Sequence, residues 1–304
     1  MPPLAAVICT HDRPAYLAAC LDGLTRQTRP VAVVVVDSAS PPAGAAAIAE
    51  LAAAHGARLV RLDRPGLSAA RNAGAAASGA SWAGFLDDDA VPDPGWAAAM
   101  CARIAALPTD IAVLGGRILP AWEAPLPAWW PAMWRGVLTI VEHDGAGRVG
   151  DPSLPAGIEP YGANIAYRGD ALAAVGGFPE TLGRIGTHLL SGEEQFVTRS
   201  LAARGLGAFY DGAAVVHHSI QAPRLTPQWL MPRVYWQGAS DAVVARRLGH
   251  GMRARLRALR MTLRNLPRMP ALREPDDSTA QMEARCRAAY ALGYLRGAWR
   301  APAG

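Results

Sequence analysis

The sequence predicts an α/β protein: a doubly wound, mostly parallel sheet with helices on both faces, followed by a helical C-terminal extension. Three observations carry this. Short apolar, β-branched runs recur through the first 117 positions. Alanine-rich segments of helical length separate them. From Trp229 onward the pattern is helical. Near-continuous apolar strands alternating with helices are what a sheet buried on both faces requires.

The strands are read at 5–9 (AAVIC), 31–37 (VAVVVVD), 57–63 (ARLVRLD), 82–87 (WAGFLD) and 111–117 (IAVLGGR). Helices fall between them at 15–25, 43–55, 67–78 and 94–106. The stretch 118–160, with "PAWEAPLPAWWPAMWRG", is too rich in proline, glycine and tryptophan for a regular helix, and reads as a long loop or lid. Regular patterning resumes at 162–183, with a helix at about 193–204 and a strand near 208–217.

Composition narrows the class. Hydrophobic residues make up 51% of the 304 residues, enough for a sizeable core. No charge-free apolar run reaches about 18 residues, so no membrane-spanning helix is expected. The N-terminus lacks the basic region and cleavage site of a signal peptide. Cys9, Cys20, Cys101 and Cys286 are scattered, which suggests neither a disulfide framework nor a zinc site and fits a reducing cytoplasm. The net charge is +5, and every basic residue is arginine. Nine arginines and no acid lie between Asp241 and Glu274, a segment that favours an anionic partner.

In doubly wound sheets ligands bind beyond the carboxyl ends of the strands. Asp37, Asp63 and the triplet Asp87, Asp88, Asp89 all end strands, and Thr10, His11 and Asp12 follow the first. Such a carboxylate cluster suits a hard divalent cation that bridges phosphate oxygens. Alone, it reads equally as a solvated turn.

The surrounding stretch "RPGLSAARNAGAAASGASWAGFLDDDAVPDPGW" (64–96) resembles the nucleotide-sugar-binding half of family-2 glycosyltransferases of the GT-A fold, as bacteria carry them. That family has Gly-Leu-Ser-x-Ala-Arg-Asn-x-Gly, a short helix, a strand and then Asp-x-Asp. The segments 7–28 and 33–40 resemble its first strand, first helix and second strand, 162–183 its acceptor side, and 191–205 its catalytic-base helix. The resemblance covers about residues 5 to 220. It implies a nucleotide-sugar-binding half at 1–117, an acceptor-binding half at 118–222, and the helical extension at 223–304. It also implies a metal-dependent inverting enzyme that moves a sugar from a nucleoside diphosphate sugar, UDP-linked, to a hydroxyl or amine acceptor, small or lipid-linked.

Site roles follow position by position from the same resemblance. Thr10, Asp12, Asp37, Arg71, Asp87, Asp88 and Arg224 would bind the nucleotide sugar, with Arg71 beside the pyrophosphate at a helix start. Asp88 belongs to this set, although strand alternation would turn it to the opposite side. Asp89 is the first metal ligand, with Asp87 and either His217 or His218. An imidazole in the set favours Mn2+ over Mg2+. Glu194 would be the base, with Glu193 the alternative; the family more often has aspartate second. Asn164, Trp130 and Trp236 would meet the acceptor.

Met252, Leu256, Leu259, Leu263 and Leu266 make one apolar stripe among arginines. It would pack on the catalytic domain or a second subunit as a homodimer, or lie on an anionic membrane surface. The expected location is therefore cytoplasmic, with a peripheral membrane contact as the variant. No nucleic-acid recognition motif accompanies the charge. Two rivals remain. A nucleotidyltransferase would need a glycine-rich loop after the first strand and a lysine, and the chain has neither. A non-catalytic nucleotide-sugar-binding protein would have lost the glutamate pair, which is present.

Overall fold

The computed structural model describes residues 3–183, 189–273 and 278–299. Residues 274–277 and 300–304 of the expected extension lie outside the described residues. The chain divides into two compact units. The first comprises Met1–Ala121, Thr139–Glu180 and Val197–Ser219; the second comprises Trp122–Leu138, Thr181–Phe196 and Ile220–Gly304.

The first unit begins with four strands and three helices: β1 (Leu4–Thr10), α1 (Pro14–Thr25), β2 (Ala32–Ser38), α2 (Pro42–Ala54), β3 (Arg58–Leu62), α3 (Leu67–Ser78) and β4 (Trp82–Asp87). Proline opens α1 and α2, where its missing N–H costs nothing. Gly79, at φ 60°, closes α3 in the left-handed region that an L side chain would disfavour. Then follow β5 (Ala90–Pro92), α4 (Trp96–Ala106), β6 (Ile111–Trp122), β7 (Ala146–Arg148), β8 (Ile165–Arg168), α5 (Gly169–Ala174), α6 (Glu193–Ala202) and β9 (Gly207–Ile220).

The strands form one mixed sheet in the order β3-β2-β1-β4-β8-β6-β9-β5, with β7 added on β9. The first four are parallel, as expected. β6 runs in the same direction as β4 but does not pair with it, because the short β8 inserts between them and runs antiparallel to both. The stretch 118–160 is more ordered than a loop: it holds the end of β6, a 3-10 helix at Ala132–Leu138, and β7.

Alternation along β1 sends Leu4, Ala6 and Ile8 to one face and Val7 to the other. The first face packs on α1, α2 and α4 through Leu17, Leu21, Ile48, Trp96 and Met100. The second packs on α3, α5 and α6 through Ala70, Leu172, Val197 and Leu201. α3 lies so close that a β-carbon on Gly74 would run into Val7 and Val36, which accounts for the glycine that closes its motif.

The second unit gathers three long helices: α7 (Pro227–Ala245), α8 (Gly251–Asn265) and α9 (Thr279–Trp299). The helices of the C-terminal extension do not stand alone, since 122–138 and 181–196 belong to the same unit. α7 and α9 touch backbone to backbone, and a β-carbon on Gly293 would collide with the Tyr235 carbonyl. No described helix is long and apolar enough to cross a membrane.

Candidate functional site

Sheet register lines up the polar residues of the first unit. Thr10 lies beside Asp37, Asp37 beside Arg61, and Cys9 beside Asp87. These are the carboxyl ends of the four parallel strands.

β4 ends at Asp87, a turn carries Asp88 and Asp89, and β5 starts at Ala90. β5 pairs with β9, with Ala90 opposite His218 and Val91 opposite His217. The Ser219 N–H donates to the Asp89 carbonyl at 2.8 Å. This pairing brings His218 Nε2 to 3.3 Å from Asp89 Oδ1. Ligand atoms of Asp87, Asp89 and His218 all lie within 4.8 Å of one another. His218 and Asp89 are buried, and Asp87 is partly exposed. The other ring nitrogen of His218, Nδ1, is buried with no hydrogen-bond partner among the described residues. Two carboxylates and an imidazole converging this closely could hold a divalent metal ion. His217, read from the sequence as an equal choice, lies outside the cluster. Successive strand residues face opposite sides, and its Nε2 stands 2.9 Å from Asp93 Oδ1 instead.

Asp88, expected from strand alternation to face the opposite side, sits in a turn where that alternation does not hold. It is buried, accepting from Thr10 Oγ1 at 2.7 Å and from Arg13 Nη1 at 2.8 Å. Arg13 donates its second arm, Nη2, to Asp89 Oδ2 at 2.7 Å. Burial pushes the Asp88 carboxyl up to about 7 against the pull of Arg13, and the neighbouring Asp89 adds to the rise. Arg13 escaped the sequence reading. Its only signal is its place in "HDRP", just beyond the first strand.

Asp37 is buried and accepts from the Ser40 N–H at 3.0 Å. Arg61 donates to its other oxygen and, through Nη2, to the Ser40 carbonyl at 2.9 Å. Arg61 was also missed; the strand pattern hides it among exposed edge residues. Asp12 is exposed, with a positive φ of 53°, and its N–H donates to Ser40 Oγ at 2.8 Å. Arg71, on α3, is 3% exposed, with Nη2 at 3.6 Å from Asp87 Oδ1 and its guanidinium 5.7 Å over the Phe178 ring. Its neighbour Asn72 clamps the Phe178 backbone, donating to its carbonyl and accepting from its N–H, each at 2.8 Å.

Asn164, expected to meet the acceptor, is engaged within the first unit. Its side chain is fully buried and its amide is spent inside the first unit: Oδ1 accepts from Trp96 Nε1 at 2.9 Å, and Nδ2 donates to the carbonyls of Arg117 and Ala214. It is held as a clamp between the sheet and α4.

In the second unit the glutamate pair opens α6, with Glu193 buried and Glu194 partly exposed. The preceding Ser191 N–H donates to Ser240 Oγ on α7 at 2.9 Å, and that hydroxyl donates to the Trp236 carbonyl at 2.7 Å. Arg224 lies in a 3-10 turn, Ala222–Leu225, partly exposed. Trp236 is partly exposed, with the Arg296 guanidinium 5.3 Å over its ring. Trp130, also expected to meet the acceptor, is 5% exposed and stacked on Trp129 at 5.4 Å.

Comparison with known proteins adds a second line. Residues 5–120 match the family model for glycosyl transferase family 2. Over 183 residues the chain is 28% identical to a glucosyl-dolichyl phosphate glucuronosyltransferase of Haloferax volcanii, 60% of this chain and 56% of that protein. The chain thus spans about half the length of the curated relative it matches. Among solved structures, the mannosyltransferase PcManGT from Pyrobaculum calidifontis, in complex with GDP-Man and Mn2+, superposes with a TM-score of 0.56 at 16% identity. It covers 98% of this chain and 74% of its own. TarS 1–349 of S. aureus, in complex with UDP, gives 0.55 at 15% identity, covering 96% and 89%. Residues 5–120 are thus similar to glycosyltransferase family 2, and the chain shares the GT-A fold of these solved glycosyltransferases.

Proposed function

We propose that the chain is an inverting, metal-dependent glycosyltransferase that uses a UDP-linked sugar. The observation that carries this reading is the convergence of Asp87, Asp89 and His218 at the strand ends, with Asp37 and Arg71 on the same edge. Asp37 accepts from the base or ribose, having lone pairs beyond those used by Ser40 and Arg61. Arg71 sets a fixed positive charge beside the diphosphate. A divalent cation held by Asp87, Asp89 and His218 would neutralise the charge that grows on the leaving diphosphate, and Mn2+ is favoured by the imidazole.

Glu194 takes the proton of the acceptor hydroxyl or amine as that atom attacks the anomeric carbon. Attack from the face opposite the diphosphate inverts the configuration. The partial exposure of Glu194, against the burial of Glu193, supports Glu194 as the group an incoming acceptor meets. The Haloferax relative is named for a dolichyl phosphate-linked sugar, which supports a lipid-linked acceptor here over a small soluble one.

The test is Glu194→Gln in a transfer assay with UDP-sugars. We expect kcat to fall by about 10²–10⁴-fold, the usual contribution of a general base, with donor affinity retained. Transfer at the parent rate would remove Glu194 from the mechanism. If only Glu193→Gln lost activity, the base would be its neighbour.

A further inference from the structure

α8 has two apolar faces, and the wrong one is turned inward. Its packed face is small: Ala254 and Ala258 are 2% and 0% exposed and join Ala242, Tyr294 and Ala298 in the core of the second unit, with Met261 beside them. Its large face is outside. Met252, Leu256, Leu259 and Leu263, with Leu266 just beyond the helix, are 48–68% exposed. At 100° per residue these five fall within about 80° of one another, opposite the alanines. An ordinary surface helix buries its leucines and exposes its alanines. This one leaves a continuous leucine stripe for something else.

The flanks identify the occupant. Arg253, Arg255, Arg257, Arg260, Arg264 and Arg268 are all exposed, and the sequence has no acid between Asp241 and Glu274. A second copy laid stripe to stripe would oppose these arginines to their own kind. A nucleic acid would use the arginines and leave the leucines wet. An anionic lipid surface answers both, with leucines among the acyl chains and guanidinium groups at the headgroups. We propose that α8 docks the protein onto an anionic membrane surface, lying in its plane. The inference concerns the second unit alone and stands apart from the donor chemistry.

The test is sedimentation of the full chain with vesicles of phosphatidylcholine, or of the same lipid with about one-third phosphatidylglycerol. We expect at least about tenfold stronger partition onto the anionic vesicles, lost as salt is raised. Leu259→Asp with Leu263→Asp, and separately Arg260→Glu with Arg264→Glu, should each abolish it at an unchanged melting temperature. Equal partition onto both vesicles, none onto either, or binding that survives both variants would overturn the proposal. So would leucine variants whose only effect is to split a dimer in light scattering, which would make the stripe a contact between copies.

Discussion

The carboxylate edge of the first unit and the α8 face of the second break the usual distribution of residues in opposite senses. At the edge, Asp88, Asp89 and His218 are 4%, 3% and 2% exposed. On α8, Met252 and Leu263 are 68% and 65% exposed. Charged groups are almost never buried unless paired, and contiguous apolar patches are rarely left in water. The edge manages its inversion internally, through Arg13 and Thr10. The α8 stripe has no such internal answer and needs an outside partner. Changes at the edge should therefore cost stability, and changes on α8 should not.

The largest stability effect is expected at a fully buried polar residue of the same unit. Asn164→Ala removes an amide making three buried hydrogen bonds and should cost about 2–4 kcal/mol, read by denaturant unfolding. Acceptor KM should stay unchanged. An unchanged stability with a raised acceptor KM would restore the acceptor role that burial argues against.

Arg13→Ala sharpens the comparison. It leaves two buried carboxylates without their cation, but Arg13 is itself a third exposed, so the loss should be on the order of 1–3 kcal/mol. Mn2+ should recover part of it by replacing the missing positive charge, an effect visible as a larger melting shift with Mn2+ than in the parent. No destabilisation, or no added response to Mn2+, would mean that Arg13 does not hold the edge together.

Ser240→Ala is the smallest step. It removes the acceptor for the Ser191 N–H that anchors the start of α6 and should cost about 1 kcal/mol. A severalfold fall in kcat with unchanged donor KM would tie this anchor to placement of Glu194. A parent-like kcat would separate the two.

Much of the first unit was legible in sequence because its information is local. Apolar runs of strand length and Gly-Leu-Ser before α3 need only their neighbours to be read, and Asp87 is at once strand end and motif. The choice between His217 and His218 was not legible, since it depends on the register of β9 against β5, set far along the chain. Arg13 was invisible for a related reason: an arginine after a strand looks like a surface residue until the fold places two buried carboxylates beside it. The bonds of Asn164 were not legible either, because a polar residue in an acceptor-side motif gives no hint that Trp96 and two carbonyls engage its amide. On α8 the stripe was plain from its 4-3-4-3 spacing. Only the structure shows that the alanines, and not the leucines, face the core.

The most direct test of the central claim is the melting temperature of the parent and of Asp89→Asn with UDP, in Mn2+ and in EDTA. A ligand at about a hundred times its Kd stabilises the folded state by about 2.7 kcal/mol, enough for a clear shift. The account predicts that UDP raises the parent's melting temperature with Mn2+, does so far less in EDTA, and fails to do so in Asp89→Asn. An equal rise in EDTA, or an undiminished rise in the variant, would contradict a metal-bridged diphosphate at Asp87, Asp89 and His218.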